Sequence, residues 1–449
     1  MSDSVLGNRA RIRVTPLLAR GGYKHYAQKT SKNGKNRMVF VVNVDGSPLM
    51  PCQAVIARLL LNAGDARVVR VTPFTIKLAR EPETIRVQEL TLGVDAGSRM
   101  AGFGAVDGNG NVHYASEVEL RQDITKKMDR RRKYRRSRRG RKCRYREPRF
   151  LNRKNSIKVG RLPPTIRSKI DAHEREIEFI KKILPITKTV IEVGTFDPHA
   201  LKNPDVLNDP ILYQRGLKYG FNNSKAYTLH RDDYTCQHCK GRLGDPKLHC
   251  HHVIWRQHGG SDHPDNLLVL CETCHHGVHD YSIELNARGK RKGTLHHATH
   301  QNIINKRLIE RVHGSESTFG YITKTHSEAL GIPKTHYNDA LVIASRGKPV
   351  TFKIGIVLIK KCIPKGDYQR TKGVRSQMTI PKGKIHGFKK FNKVRYRGKE
   401  YFIKGRMSTG YAILMDIDGT KQSLKPIPKF SNMERIGARK CQMVVEMTI

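Results

Sequence analysis

An α+β chain of several domains is the fold class that the sequence predicts, and three observations predict it. A length of 449 residues suggests about three units at roughly 150 residues each. Apolar residues at 37%, with 38 Gly and 20 Pro, suffice for packed cores and exclude a fully disordered chain. Period-two apolar runs bounded by turn residues alternate with runs at helical spacing, and a Cys- and His-rich stretch interrupts them.

In chain order, residues 1–37 are basic, rich in Gly, Asn and Ser and weakly periodic, the composition of an extension that folds on nucleic acid. Residues 38–88 form a small α+β unit: a strand over Met38–Val44 ended by Asp45-Gly46, a helix over Ala54–Asn62 stopped at Gly64, and strands over Ala66–Val71 and Pro73–Leu78. Such a unit buries little by itself and is expected to dock on its neighbour. Residues 89–125 read as an antiparallel meander, Leu90–Asp95, Ala101–Val106 and Asn111–Ser116, with Asp107-Gly108-Asn109-Gly110 as the hairpin signal. Residues 126–154 hold 17 Lys or Arg against two acids, a net of +15. In 155–219 a helix over Thr165–Leu184 has Ile170, Ile177 and Leu184 seven apart, and an apolar strand over Thr189–Val193 follows. The Cys- and His-rich unit occupies 220–288. Within 289–348, His336–Ser345 looks like a helix with an apolar back. Residues 349–449 offer short strands, Thr351–Ile359, Lys393–Tyr396, Glu400–Ile403, Tyr411–Ile417 and Met443–Met447, which suggest a separate, basic, β-barrel-like domain.

Charge narrows the class of partner. There are 85 Lys plus Arg against 39 Asp plus Glu, a formal net charge of +46, so a polyanion is expected. No run of about 18 apolar residues occurs, and the Arg-rich start lacks the apolar stretch of a secretory signal, which predicts a protein without a membrane partner that works in the cytoplasm. Four of the nine cysteines form two Cys-x-x-Cys pairs, the spacing of a metal site in a reducing compartment. Packing accounts for Cys52, Cys143, Cys250, Cys362 and Cys441.

Those pairs, Cys236/Cys239 and Cys271/Cys274, can bring four thiolates to a tetrahedral Zn²⁺. By themselves they suit a zinc ribbon with no chemistry. Between and after them stand Cys250-His251-His252-Val253-Ile254, Gly259-Gly260, Asp265-Asn266-Leu267-Leu268 and Cys274-His275-His276-Gly277-Val278-His279. This series resembles the HNH nuclease family, a ββα-metal fold. The resemblance implies His252 as general base, Asn266 orienting its ring, and His251, His275 and His279 as ligands of a catalytic divalent ion. The four cysteines would then hold a structural zinc. His238, His249, His258 and His276 are read as structural.

Three acids form a second set. Asp95 ends an apolar strand in Leu92-Gly93-Val94-Asp95-Ala96-Gly97, where an Asp can equally cap a turn. Glu192 lies between Ile191 and Val193, where an unpaired carboxylate is costly unless it meets a cation. His336 and Asp339, three apart, share a helix face. With the arginine-rich segment ahead of the second element and the HNH-like unit between second and third, this order resembles a RuvC-like, ribonuclease-H-fold nuclease split by an HNH insertion. The resemblance implies that Asp95, Glu192 and Asp339 hold Mg²⁺ (or Mn²⁺), with His336 as base or orienting group.

Ser47-Pro48-Leu49-Met50-Pro51 resembles the PLMP domain of the IscB family, transposon-encoded relatives of the CRISPR effector nucleases, and the resemblance covers roughly 38–449. It implies an RNA-guided endonuclease that cuts double-stranded DNA beside a short flanking motif, one protein per large structured noncoding RNA. HNH would cut the guide-paired strand and RuvC the displaced one. Arg130, Arg131, Arg132, Arg135, Arg136, Arg138, Arg139, Arg141 and Arg144, interleaved with Tyr134 and Tyr145, suit a bridge helix on an RNA or heteroduplex backbone. Ser137, Gly140 and Pro148 weaken the helix past Arg139. The 349–449 domain would contact guide RNA and read the flanking motif. Two other readings stay open: an unguided HNH homing or repair nuclease, and a zinc-containing RNA-binding protein that does not cleave.

Overall fold

The computed structural model describes residues 38–140, 161–197, 199–201, 203–258, 260–286, 296–364 and 383–449. The basic extension expected at 1–37, Arg141 and Arg144 lie outside the described residues.

The first unit comprises β1 (Met38–Val42), β2 (Cys52–Gln53), α1 (Ala54–Asn62), β3 (Ala66–Arg70) and β4 (Thr75–Leu78) in a four-stranded sheet ordered β2-β1-β4-β3. Strand alternation divides β1 between two cores. Val39 and Val41 pack with Ala57 and Ile76 inside the unit, whereas Phe40 enters the main core with its ring 6.3 Å from that of Tyr114. Met50 packs against the same core, and the Arg70 guanidinium lies 4.5 Å from the Phe179 ring centroid, so the unit docks at several points.

The main body begins with β5 (Leu90–Asp95), β6 (Met100–Asp107) and β7 (Asn111–Glu119), an antiparallel meander. At its turn the Asp107 carboxylate accepts from the main-chain N–H groups of Asn109 and Asn111, both at 2.9 Å. Helices α2 (Ile124–Gly140) and α3 (Pro164–Lys181) follow, then β8 (Ile186–Val193). The Cys- and His-rich unit contributes α4 (Ser224–Arg231), β9 (Leu248–His252), β10 (Leu267–Cys271) and α5 (Glu272–His279). The chain returns through α6 (His296–Arg311), β11 (Glu316–Phe319), α7 (Gly320–Ala329) and α8 (His336–Ser345). After β12 (Thr351–Phe352) and β13 (Ile356–Cys362) come β14 (Lys393–Tyr396), β15 (Lys399–Arg406), β16 (Ala412–Met415), β17 (Glu434–Gly437) and β18 (Gln442–Thr448).

The large sheet is ordered β11-β8-β5-β6-β7-β13-β18, with β12 also on β7. Strands β8 and β11 run parallel to β5, so all three deliver their C-terminal ends to one edge. Helix α8 lies directly on β5 and β6 because three positions there carry no side chain. A Cβ at Gly93 would come within 2.0 Å of the Ala340 carbonyl oxygen, and one at Gly102 within 1.7 Å of that of His336; a Cβ at Gly104 would strike the Leu341 side chain.

The C-terminal region departs from the sequence expectation of one separate barrel-like domain. Strand β13 pairs parallel with β7 and β18 pairs antiparallel with β13, so both complete the large sheet. Strands β14–β17 form a four-stranded antiparallel sheet ordered β16-β15-β14-β17 around Val394, Tyr396, Ile403, Leu414 and Phe430. The run expected as one strand, Thr351–Ile359, is broken between β12 and β13. Strand β13 buries Val357, Leu358 and Ile359 in the main cores and adds a buried ion pair. Lys360 reaches Glu176 of α3, whose carboxylate also accepts from Tyr114 on β7 and Gln442 on β18. Both partners are almost fully buried, and removing either would leave a buried charge unpaired, at a cost of about 3–5 kcal/mol. No sequence period announces such a partner.

Candidate active sites

The β9–β10 hairpin pairs His252 with Leu267 and His251 with Leu268, and α5 starts where β10 ends. Cys236, Cys239, Cys271 and Cys274 place their sulfurs within 4.8 Å of one another. The Cys236–Cys239 turn closes through Lys240 and Gly241, both at positive φ. There the main-chain N–H groups of Leu243 and Gly241 lower the Cys239 thiol to about 7, whereas burial pushes Cys271 and Cys274 up. Four converging sulfurs are the donor set of a structural zinc.

His251, His275 and His279 form a second set, with ligand nitrogens also within 4.8 Å of one another. The last two are one turn apart on α5 and face His251 across the hairpin. His251 is 2% exposed, and its Nε2 has no hydrogen-bond partner among the described residues, a costly state that a divalent ion would relieve. Burial, then the neighbouring histidines, lowers His251 to about 4, which leaves its ring neutral and able to ligate at neutral pH. The residues therefore fit a bound ion.

His252 is partly exposed, and its Nε2 lies 2.8 Å from Asp262 Oδ1. The Arg256 guanidinium holds the same oxygen. Asn266, expected to orient the His252 ring, does something else. Its Oδ1 accepts from the Ile254 N–H at 2.9 Å, and its Nδ2 donates to the carbonyl oxygens of Ile254 and Ser261 at 3.0 and 2.9 Å. Asn266 is fully buried and fixes the loop that follows His252 by satisfying main-chain groups at the loop base. The ring's own partner is Asp262, which sequence reasoning missed: Ser261-Asp262-His263 has only turn composition.

The second set gathers at the sheet edge. Asp95 ends β5, Glu192 lies in β8, and α8 presents His336 and Asp339. His336 Nδ1 is 2.6 Å from Asp95 Oδ2, a contact that the close seating of α8 over Gly102 makes possible. Burial pushes both Glu192 and Asp339 above the ordinary carboxylate range, and the charge of Asp95 adds to both shifts. A Cβ at Gly320, the first residue of α7, would lie 3.0 Å from Glu192 Oε1, so this helix begins against that carboxylate. The acids converge less closely than the thiol or histidine sets, since among the described residues those two alone bring three or more ligand atoms within 4.8 Å. Carboxylates crowded into a partly buried edge remain a donor set for hard divalent cations.

Glu117 joins this edge without having been singled out from the sequence. Asp95 pairs with Gly102 and Gly102 with Glu117, so the three stand in a row across β5, β6 and β7 with His336 above the gap at Gly102. Burial raises the Glu117 carboxyl, His336 opposes that shift, and Asp95 and Asp339 add to it. The sequence predicts a strand that ends at Ser116, whereas β7 runs on to Glu119 and so carries Glu117 into the sheet.

Helix α2 carries Arg130, Arg131, Arg132, Arg135 and Arg136 as exposed side chains, with Arg138 and Arg139 farther along the same helix. Only Asp129 offers an opposing charge between residues 126 and 140, at 3.2 Å from Arg132. Among the described residues no helix is long and apolar enough to cross a membrane.

Two segments of the chain match family models. Residues 39–216 match the family model described as RRXRR protein, a pattern that Arg135-Arg136-Ser137-Arg138-Arg139 spells out. Residues 236–281 match HNH endonuclease. The type IV methyl-directed restriction enzyme EcoKMcrA of Escherichia coli strain K12 is 31% identical over 87 residues, 18% of this chain and 31% of that protein. The chain thus spans about a third of the length of this curated relative. Among solved structures, Streptococcus thermophilus Cas9 in complex with the AGAA PAM superposes with a TM-score of 0.31 at 11% identity, over 49% of this chain and 31% of that one.

Proposed function

We propose that this chain, in which an RRXRR region precedes an HNH endonuclease domain, is an RNA-guided DNA endonuclease of the IscB type. The observation that carries the reading is the combination of two separate ion-compatible clusters, one on the HNH hairpin and one at the edge of the large sheet, in a molecule with an excess of 46 positive charges. In this reading the RuvC-like nuclease comprises 89–125, 155–219 and 289–348, and its sheet, a meander extended by parallel strands beside its first strand, has the connectivity a ribonuclease-H-like core needs. Residues 126–154 are the bridge helix, 38–88 the PLMP domain, and 349–449 the region that meets RNA and the motif flanking the target.

Asp95, Glu192 and Asp339 would hold Mg²⁺ or Mn²⁺, His251, His275 and His279 the HNH ion, and the four cysteines zinc. The bound ions supply charge stabilisation at a phosphodiester and lower the pKa of water. The chain's own residues do the rest. Asp262 accepts from His252 Nε2–H, which leaves Nδ1 as the lone pair that takes a proton from the attacking water. Asn266 fixes the loop that carries Asp262 towards that ring. At the sheet edge, His336 holds its Nδ1 proton toward Asp95 and so orients that carboxylate. HNH would cut the guide-paired strand and RuvC the displaced one, with the protein acting in the cytoplasm on nucleoid DNA.

The test is to express the full chain with its native flanking DNA and sequence the RNA that survives a high-salt wash. One long structured RNA with a replaceable end segment is the expected result; no RNA, or random cellular RNA, overturns guidance. The identity to a restriction enzyme favours a second reading, an unguided HNH endonuclease, which predicts cutting of naked plasmid with Mg²⁺ and no RNA.

A further inference from the structure

Helix α6 packs a polar stripe where an apolar one would be usual. His297, Gln301 and Asn305 are four residues apart and so share a face, which Leu308 and Val312 continue as apolar core. Each polar member touches the chain just past a carboxylate-bearing strand. Gln301 Nε2 donates to the carbonyl of Ala96, the residue after Asp95. It also donates to Asn305 Oδ1 at 2.7 Å, and Asn305 Nδ2 donates to the carbonyl of Gly194, two residues after Glu192, at 3.0 Å. His297 Nδ1 lies 2.7 Å from Ser98 Oγ. Asn302, beside the stripe, accepts from the Phe196 N–H at 2.8 Å and donates to its carbonyl at 2.7 Å.

These bonds form a chain from one strand end to the other: Ala96 carbonyl, Gln301 amide, Asn305 amide, Gly194 carbonyl. Past the ends of β5 and β8 these carbonyls have left the strand ladder; Ala96 is 4% exposed and Gly194 half-buried, and the Asn305 amide that meets Gly194 is itself 5% exposed, so solvent does little to compete for these bonds. The orientation of each amide is also determined. Both N–H groups of Gln301 are used, and flipping it would set carbonyl against carbonyl at Ala96. The stripe is therefore a fixed-length link between the two strand ends that carry Asp95 and Glu192, although it touches neither carboxylate.

We propose that Gln301 and Asn305 are positioning residues that set the spacing of Asp95 and Glu192, and thereby the affinity of the sheet-edge acids for a divalent cation. The proposal rests on the reading of those acids as a cation site. A helix that merely packs there would contribute stability and leave affinity unchanged in the folded protein.

The test uses the full zinc-loaded chain, freed of nucleic acid in high salt, with His275→Ala disabling the HNH ion site. Free Mn²⁺ is measured by electron paramagnetic resonance during titration, beside zinc content and thermal midpoint. Gln301→Leu and Asn305→Leu should each weaken Mn²⁺ binding at least about tenfold, the usual scale for groups that orient ligands, with zinc content retained. Gln301 is only half-buried, so its variant keeps the test open should Asn305→Leu fail to fold. Parental Mn²⁺ affinity in folded Gln301→Leu overturns the proposal, even if the midpoint falls. Asp95→Ala separates the two levels: parental affinity in that variant overturns the cation-site reading itself, and lost affinity there with parental affinity in Gln301→Leu overturns only the link.

Discussion

His252 and Asp95 sit in different units, on the β9 hairpin and at the end of β5, and no hydrogen bond joins their sites among the described residues. Each should therefore fail alone. His252→Ala and Asp95→Ala are expected to lower cutting of one DNA strand each by about 10²–10⁴-fold, with opposite strands surviving; strand-resolved gels check this, and loss of both cuts in either variant defeats the two-site assignment. The raised carboxyls give a second residue-scale prediction. Glu192 and Asp339 are raised by burial and by Asp95, with Lys334 opposing. A raised acid binds its proton more tightly folded than unfolded, so its stabilisation is present at low pH and is lost as pH rises from the ordinary range, about 4, through the raised values. With zinc bound and no magnesium, the thermal midpoint should fall across that window, and added Mg²⁺ should offset the fall above it. Glu192→Gln should raise the magnesium-free midpoint at pH 7 by about 2 °C, read by calorimetry.

At the scale of elements, helix α8 reaches the acids only because Gly93, Gly102 and Gly104 let it lie on the sheet. Gly102→Val would drive a Cβ to 1.7 Å from the His336 carbonyl oxygen, so α8 must lift. The expected outcome is a loss of about 1–3 kcal/mol in stability, with the Asp95-dependent cut abolished and the His252-dependent cut retained. The hairpin unit has the converse dependence. Its core is a small cluster around Leu270 and Val278 that includes the cysteine side chains themselves. Cys271→Ser should release zinc and make residues 236–281 susceptible to proteolysis while the large sheet stays resistant; retention of one equivalent of zinc in that variant would contradict a four-sulfur site.

For the whole molecule, the +46 charge is spread beyond α2, since residues 126–154 account for +15 of it. Arg130, Arg131, Arg135 and Arg136 are exposed along α2, where Asp129 is the one acid between residues 126 and 140, the arrangement of a phosphate-tracking surface. Replacing these four with Gln should flatten the dependence of log affinity on log salt by roughly 3–4 in slope, measured by anisotropy with the co-purified RNA. An unchanged slope would remove α2 from the interface. The C-terminal strands divide between two of the molecule's sheets: β13 and β18 brace the large sheet, and β14–β17 stand as a unit around their own core.

The amino-acid sequence by itself determined whatever depends on near neighbours in the chain. Helices at Ala54–Asn62 and His336–Ser345 and the strand at Leu90–Asp95 are legible because side-chain period and turn residues are local properties. The thiol pairs and the His275/His279 turn are legible because spacings of three and four positions fix which atoms can share an ion. Tertiary structure alone decided the partners that no spacing encodes. Asp262 rather than Asn266 meets the His252 ring because a loop folds back; Glu117 joins Asp95 because Gly102 leaves the row between them open. Strands β13 and β18 enter the large sheet because their apolar faces meet its two cores and Lys360 meets a buried carboxylate on α3. In each case the deciding contact spans chain segments whose approach costs entropy until the whole core forms, and a short apolar run carries no mark of which sheet will repay it.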